Sequence, residues 1–285
     1  MKRFQLLILL ILLVSSAFGQ RADVTKLGSF PEELEEVSGL IYVGKDSLIA
    51  LTDSGNDPVL YLVNSKAEIL KKTWIKNAKN RDWEDITIDE KGQIFIGDFG
   101  NNLNRRKKLF IYSVDLKNVL KNDTVVVKKI SFHYPEQKSF PPKEDKMYYD
   151  TEALWADSDY LYILTKNRTE PSDGIAQFYR LPKKPGNYSA EKLGTYYTCD
   201  NSQIKCWITA ADFHLESGLI AVLTTTEIHL LRMEEEKLKV VKVYKIPGIK
   251  QRESICFGEN KNQLYMADEF HKLLRGGNLY KVILE

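Results

Sequence analysis

The chain has 285 residues, 43% of them apolar, with 41 Lys and Arg against 39 Asp and Glu. Lys2 and Arg3 before the apolar run Leu6 to Val14, followed by the small residues around Ala17-Phe18-Gly19, read as a secretory signal peptide at residues 1–19. Its removal leaves 39 bases and 39 acids, a neutral chain without the basic footprint of a nucleic-acid binder and without a long apolar stretch to span a bilayer.

The remaining segment, residues 20–285, reads as one all-β domain built on a repeat. Each unit has a polar or acidic start, an alternating apolar strand, a turn, a second apolar strand and two further strands. The first strand at Asp23 to Gly28 belongs to no unit of its own. Unit one then starts at Ser38-Gly39-Leu40-Ile41-Tyr42, with later strands at Leu48 to Leu51, Val59 to Val63 and Ile69 to Ile75. Unit two starts at Glu84-Asp85-Ile86 and continues at Ile94 to Gly97, Leu109 to Val114 and Val125 to Phe132. Unit three runs from Glu152-Ala153-Leu154-Trp155 through Leu161 to Leu164, Gln177 to Leu181 and Leu193 to Tyr197. Unit four runs from Ala211-Asp212-Phe213 through Leu219 to Leu223, Glu227 to Leu231 and Leu238 to Ile246. Unit five starts at Glu253-Ser254-Ile255, continues at Leu264 to Ala267, and stops after Leu279 to Ile283.

Starts spaced by 46, 68, 59 and 42 residues suit the blades of a five-bladed β-propeller with loop insertions. A sixth blade would have to hide between residues 103 and 150, which read better as outer strands and a polar loop. The fifth unit lacks a fourth strand, so the N-terminal strand is expected to supply it and close the ring, leaving no open edge between first and last blades. Cys199 and Cys206 bracket a short polar stretch and could close a local loop in an oxidising compartment, or stay free. Cys256 reads as a buried small hydrophobe, and Trp83, Trp155 and Trp207, beside the strand starts, read as packing between blades.

In a propeller blade the innermost strand begins and the second strand ends on the same face of the disc. This brings Ser38, Glu84, Glu152 and Glu253 around the axis, with Ala211 at the fourth blade. A second ring at the mouth takes Asp53, Asp98, Lys166 and Asp268, with Thr225. Repeated carboxylates around one axis repel unless a cation sits between them. Calcium, which accepts six to eight oxygen ligands in loose geometry, fits better than zinc or copper in a chain without His/Cys clusters. The alternative is that these acids cap strand ends or pair with Arg81, Arg168 and Arg252. Gly97 to Asn102 and Thr52 to Asp57 read as tight turns rather than separate calcium loops, lacking EF-hand spacing. Arg105 and Arg168, with Arg106, Lys107, Lys108, His271, Lys272 and Arg275, place bases on the same loops and suit either a small anionic ligand such as a phosphate ester or the solvated loops of a neutral protein.

The strand starts Val-Ser-Gly-Leu at Ser38, Trp-Glu-Asp-Ile at Glu84, Thr-Glu-Ala-Leu-Trp at Glu152 and Glu-Ser-Ile-Cys-Phe at Glu253 resemble those of the calcium-activated nucleotidase (apyrase) family. That resemblance implies a five-bladed propeller with calcium in the central channel, held by Ser38, Glu84, Glu152 and Glu253. Ala211 stands where that family has Ser, and the family's Asp- and Arg-containing substrate motif near the N-terminus is missing. The chain also looks like secreted bacterial propellers carrying Asp-Trp-Glu-Asp-Ile and Gly-Asp-Phe-Gly-Asn-Asn, and more distantly like phytase-like and gluconolactonase-like propellers.

These readings lead to a secreted, periplasmic or surface propeller with a central calcium site, acting as a metal-assisted hydrolase of an anionic small molecule. The alternative is a non-catalytic binding propeller in which the ion stiffens the channel. Glycoside hydrolysis by two mouth carboxylates also fits the disc, with no acid or nucleophile assignable. No Gly-x-Ser-x-Gly elbow, HExxH or phosphate loop is present, which argues against acyl transfer, zinc proteolysis and P-loop chemistry. The sequons at Asn122, Asn167 and Asn187 are three-residue matches that matter only in a glycosylating host.

Overall fold

Alternation of apolar and polar residues at a period of two turns each repeat into a strand with one face inward, and the strands pair in sequence order into five sheets. The computed structural model describes residues 20–199, 203–248, 250–270 and 276–285. The expected signal peptide and His271, Lys272 and Arg275 lie outside these residues.

Blade one contains Val37–Gly44, Ser47–Thr52, Val59–Asn64 and Ile69–Ile75. Blade two contains Trp83–Ile88, Gln93–Asp98, Leu109–Asp115 and Lys128–His133, and blade three Asp150–Ala156, Tyr160–Lys166, Ile175–Pro182 and Glu191–Tyr197. Blade four contains Ile208–His214, Leu219–Thr224, Glu227–Glu234 and Lys237–Lys245. Blade five contains Arg252–Phe257, Gln263–Asp268 and Asn278–Ile283, and its outermost strand is the N-terminal Asp23–Ser29, antiparallel to Asn278–Ile283 with Val24 opposite Val282. The fold is the expected five-bladed propeller, closed by the N-terminal strand.

Three short edge strands escaped the sequence pattern. Gln20–Arg21 lies parallel on Lys237–Lys245, Thr124–Val125 on Ile69–Ile75, and Gly186–Ser189 on Lys128–His133. The single strand expected over Val125 to Phe132 is therefore two. Asn77 divides it, its side-chain amide donating to the Val127 carbonyl at 2.8 Å and accepting from the Val127 amide at 2.8 Å.

Five apolar clusters hold the disc together, and each lies between two neighbouring blades rather than inside one. Ile41, Ile49 and Leu60 of blade one pack on Trp83, Ile86 and Ile96 of blade two. Phe95 and Ile111 pack on Leu154 and Tyr179, and Trp155 and Phe178 on Ile208 and Val222. Ala210 and Leu223 meet Ile255 and Met266, and Cys256 and Tyr265 meet Leu40 and Val63. A blade removed from its neighbours thus loses both of its buried faces. Blades one and five also approach closely at Gly28, where a Cβ would fall on the Lys66 carbonyl. Among the described residues no helix is long and apolar enough to cross a membrane.

Candidate functional site

Every innermost strand carries an irregularity at the same place. The pairing register skips one residue between Val37 and Gly39, Trp83 and Asp85, Thr151 and Ala153, Ile208 and Ala210, and Arg252 and Ser254. The extra residues are Ser38, Glu84, Glu152, Thr209 and Glu253. A β-bulge re-aims the side chain it carries, and five bulges at one level place these five residues around the axis. The position in the fourth blade is thus Thr209, not Ala211, whose backbone N–H instead donates to Asp85. The sequence reading began this strand two residues late, at Ala211 rather than at Thr209.

The same offset corrects the second ring. The residue following the one paired just before the bulge is Asp53, Phe99, Lys166, Thr225 and Glu269 in blades one to five. Asp53, Lys166, Thr225 and Glu269 line a pocket of about 310 Å³ at the mouth, together with Glu84, Glu152, Glu253, Arg168, Trp207 and Ile204. Asp98 and Asp268 do not line it. Asp98 accepts from Arg106 at 2.8 Å and from Tyr112 at 3.1 Å. Asp268 accepts from Tyr280 at 2.8 Å, from the Asn278 amide at 2.9 Å and pairs with Lys250 at 3.0 Å. Both face outward along their blades, and Glu269, which the sequence reading passed over, takes the inward place.

The remaining expected residues divide in the same way. Ser38 is buried, outside the pocket wall, and donates to the Trp83 carbonyl at 2.7 Å, tying blade one to blade two. Arg105 is exposed and does not reach the pocket. Arg168 does reach it, with its Nε 2.7 Å from Asp150, its guanidinium also bonded to Asn102, and its Cζ 4.4 Å from the centre of the Trp207 ring. Trp83 and Trp155 are buried packing residues as expected, whereas Trp207 forms pocket wall, its Nε1 donating to the Asn167 carbonyl. The loop leading to Trp207 is closed by a disulfide between Cys199 and Cys206, and Cys256 is a buried free thiol.

One group of acids gathers more tightly than the rest. Carboxylate oxygens of Asp53, Asp82 and Glu84 all lie within 4.8 Å of one another, about twice a calcium–oxygen bond of ~2.4 Å. Glu84 is only 8% exposed and, among the described residues, makes no direct hydrogen bond or ion pair. The two carboxylates rest on Gly100, where a Cβ would clash with Glu84 Oε1 and stand 2.5 Å from Asp82 Cγ. Only glycine leaves that space open, so the turn Gly97 to Asn102 acts as the floor of the group. Asp82 was visible in the sequence only as the first letter of Asp-Trp-Glu-Asp-Ile.

Burial and mutual repulsion raise the acids of the mouth. Burial, then the Asp53 charge, lifts Asp82 to about 6, and burial with Glu152 and Asp53 nearby raises Glu84 well above the carboxylate range. Burial and Glu253 push Glu269 to about 9. A carboxyl raised in the folded state stabilises that state while protonated, and loses the contribution as pH climbs from its unfolded value of about 4 through its folded value. In calcium-free buffer the melting temperature should therefore fall between about pH 4 and pH 9, Asp82 contributing up to about pH 6, and Glu269→Gln should flatten the part above that. A calcium-free melting temperature that rises over this range would contradict the repulsive mouth.

No family model and no curated protein matches the chain. Among solved structures it is similar to a luciferin-regenerating enzyme, at 14% identity and a TM-score of 0.49 over 92% of this chain and 95% of the other. It is also similar to XC5397 from Xanthomonas campestris, described as a gluconolactonase, at 9% identity and 0.47 over 87% and 72%, and to U3-55K at 11% and 0.47 over 93% and 100%. At that level of likeness they say nothing about what this chain binds, and the resemblance to calcium-activated nucleotidases finds no counterpart among them.

Proposed function

We propose that the mouth of this propeller is a divalent-cation centre, with calcium as the fitting ion, that binds a small molecule in a secreted, periplasmic or surface setting. The observation that carries this reading is the group Asp53, Asp82 and Glu84, three oxygens at the spacing of one ion, with the unpartnered Glu84 held over Gly100. When bound, such a cation would polarise a ligand oxygen and lower the pKa of a coordinated water. Trp207 and Ile204 supply an apolar wall beside the acids, and Arg168 is held rigidly across the Trp207 face by Asp150 and Asn102.

A non-catalytic binding role gains support from how the bases of the mouth are used. Lys166 pairs with Glu152, Arg168 with Asp150 and Lys250 with Asp268, and Arg105 stands outside. The three bases that reach the mouth are thus each held by a carboxylate rather than poised for a phosphoryl group. Phosphate-ester hydrolysis then depends on the cation alone, and a panel of phosphate esters assayed with and without calcium separates the readings. Calcium-dependent turnover favours the hydrolase, and none favours the binding protein.

Calcium at a hundred times its dissociation constant contributes about 2.7 kcal/mol, or roughly 5–10 °C in a domain of this size. Asp82→Asn and Glu84→Gln should each erase that rise, measured against chelator. A response unchanged in both variants would sink the site.

A further inference from the structure

Three bulges bring Glu84, Glu152 and Glu253 to the axis, two strand ends add Asp53 and Glu269, and one ammonium joins them, within ion-pair distance of Glu152 alone among the described residues. Lys166 ends the second strand of blade three, at the position held by Asp53, Thr225 and Glu269 in blades one, four and five. It is 6% exposed, its Nζ stands 2.8 Å from Glu152 Oε1, and the Trp207 ring covers it at 5.4 Å. Its charge also acts on Glu84, Glu253, Asp53 and Glu269. Burial alone would lower its pKa, but the carboxylates around it, Glu152 and then Glu253, outweigh burial and leave the ammonium well above the usual lysine value. Each of these carboxylates has Lys166 as a source of positive charge.

We infer that Lys166 is the axial cation of this propeller: its ammonium occupies the place among Glu84, Glu152 and Glu253 that a divalent ion would need, and so confines metal to Asp53, Asp82 and Glu84. Two like charges cannot share that space at contact distance in a poorly hydrated channel. The oxygens that would complete an axial coordination shell are accordingly left over. Among the described residues Glu152 Oε2 and Thr209 Oγ1 are buried without a hydrogen-bond partner. Lys166 thus decides the number and position of bound ions, a residue acting on specificity rather than on chemistry. The inference shares only the off-axis group with the proposed function, and its test separates the two.

Calcium stoichiometry is read by calorimetric titration and chelator competition on the full mature protein. Wild type and Lys166→Arg, which keeps the charge, should bind one ion. Asp82→Asn should remove that ion, and Glu253→Gln should change its affinity less than about threefold, since surrounding charge alone is altered. Lys166→Met, of similar length and uncharged, should gain a second ion in the range of about 10⁻⁴–10⁻³ M typical of extracellular calcium modules. Adding Glu253→Gln to Lys166→Met should abolish that second ion.

Two ions in the wild type, loss of its ion in Glu253→Gln, or no gain in a folded Lys166→Met would overturn the inference. Should Lys166→Met fail to fold, Lys166→Gln repeats the test, and the Glu253→Gln and Lys166→Arg titrations still decide the axial position. A wild type without calcium whose Lys166→Met variant gains one ion would refute the off-axis site and leave the axial role of Lys166 standing.

Discussion

Deletion of residues 20–29 should lower the melting temperature by about 10–20 °C, reflecting a loss on the order of 5 kcal/mol in a domain of this size. The segment does two jobs. Asp23–Ser29 supplies the fourth strand of blade five, paired over its length with Asn278–Ile283. Gln20–Arg21 lies on Lys237–Lys245 of blade four, and the Ala22 amide donates to the Lys245 carbonyl at 3.1 Å. Its removal exposes the outer edges of two adjacent blades and uncovers Val282 and Leu284 between them. Circular dichroism melts of the mature protein with and without the segment check this, and superimposable curves would show that the ring closes by other means.

Asp85→Ala should cost about 3 kcal/mol or more, because three buried N–H groups lose their acceptor at about 1–3 kcal/mol each. One oxygen of Asp85 accepts from Leu154 at 2.8 Å and from Ala211 at 3.2 Å, and the other from its neighbour Ile86 at 2.9 Å. A carboxylate on blade two thus bonds the inner strands of blades three and four across the channel. Burial pushes this carboxyl well up, against the pull of the three donors. Asp85→Asn keeps one acceptor oxygen but turns an NH₂ toward a donor, so its loss should be smaller than that of alanine and still clear in urea melts. Equal stability of Asp85→Ala and wild type would mean that the three amides find other partners.

The repeat itself was legible because alternation at period two survives in every blade and each second strand is a dense apolar run. Closure was legible for a related reason, since blade five was one strand short and Asp23 to Gly28 was one strand spare. The site was half legible. Glu84, Glu152 and Glu253 stand where expected, but a bulge adds a residue without changing the composition of the strand around it. That single residue moved the inward acid of blade five from Asp268 to Glu269, while in the fourth blade the strand start was read two residues late, at Ala211 instead of Thr209. Lys166 was placed correctly at the mouth, while its role as counter-charge depends on depth, which alternation does not encode. Asp82 lay one residue outside the strand pattern, and only the Gly100 turn brings it to Glu84.

The edge strands carry a consequence for how the disc comes apart. Thr124–Val125 belongs to the second blade and lies on the first, Gly186–Ser189 belongs to the third and lies on the second, and the N-terminal segment joins the fourth to the fifth. Each overlapping strand comes immediately before the outermost strand of the blade that sends it. In the fourth blade the corresponding connection is only the tight turn Glu235-Glu236, with both residues at positive φ, too short to reach back. Between the third and fourth blades, among the described residues, no strand crosses, and there the chain carries Cys199–Cys206. Among the described residues the ring is therefore shingled like a roof at three of its five joints; of the two left bare, the one between the third and fourth blades is riveted by the disulfide, and the one between the fifth and first is closed by the tight approach of Gly28 to the Lys66 carbonyl. Under reducing conditions the riveted joint loses its tie and should be where the roof lifts, with amide exchange quickening along Glu191–Tyr197 and Ile208–His214 more than elsewhere, relative to the oxidised protein.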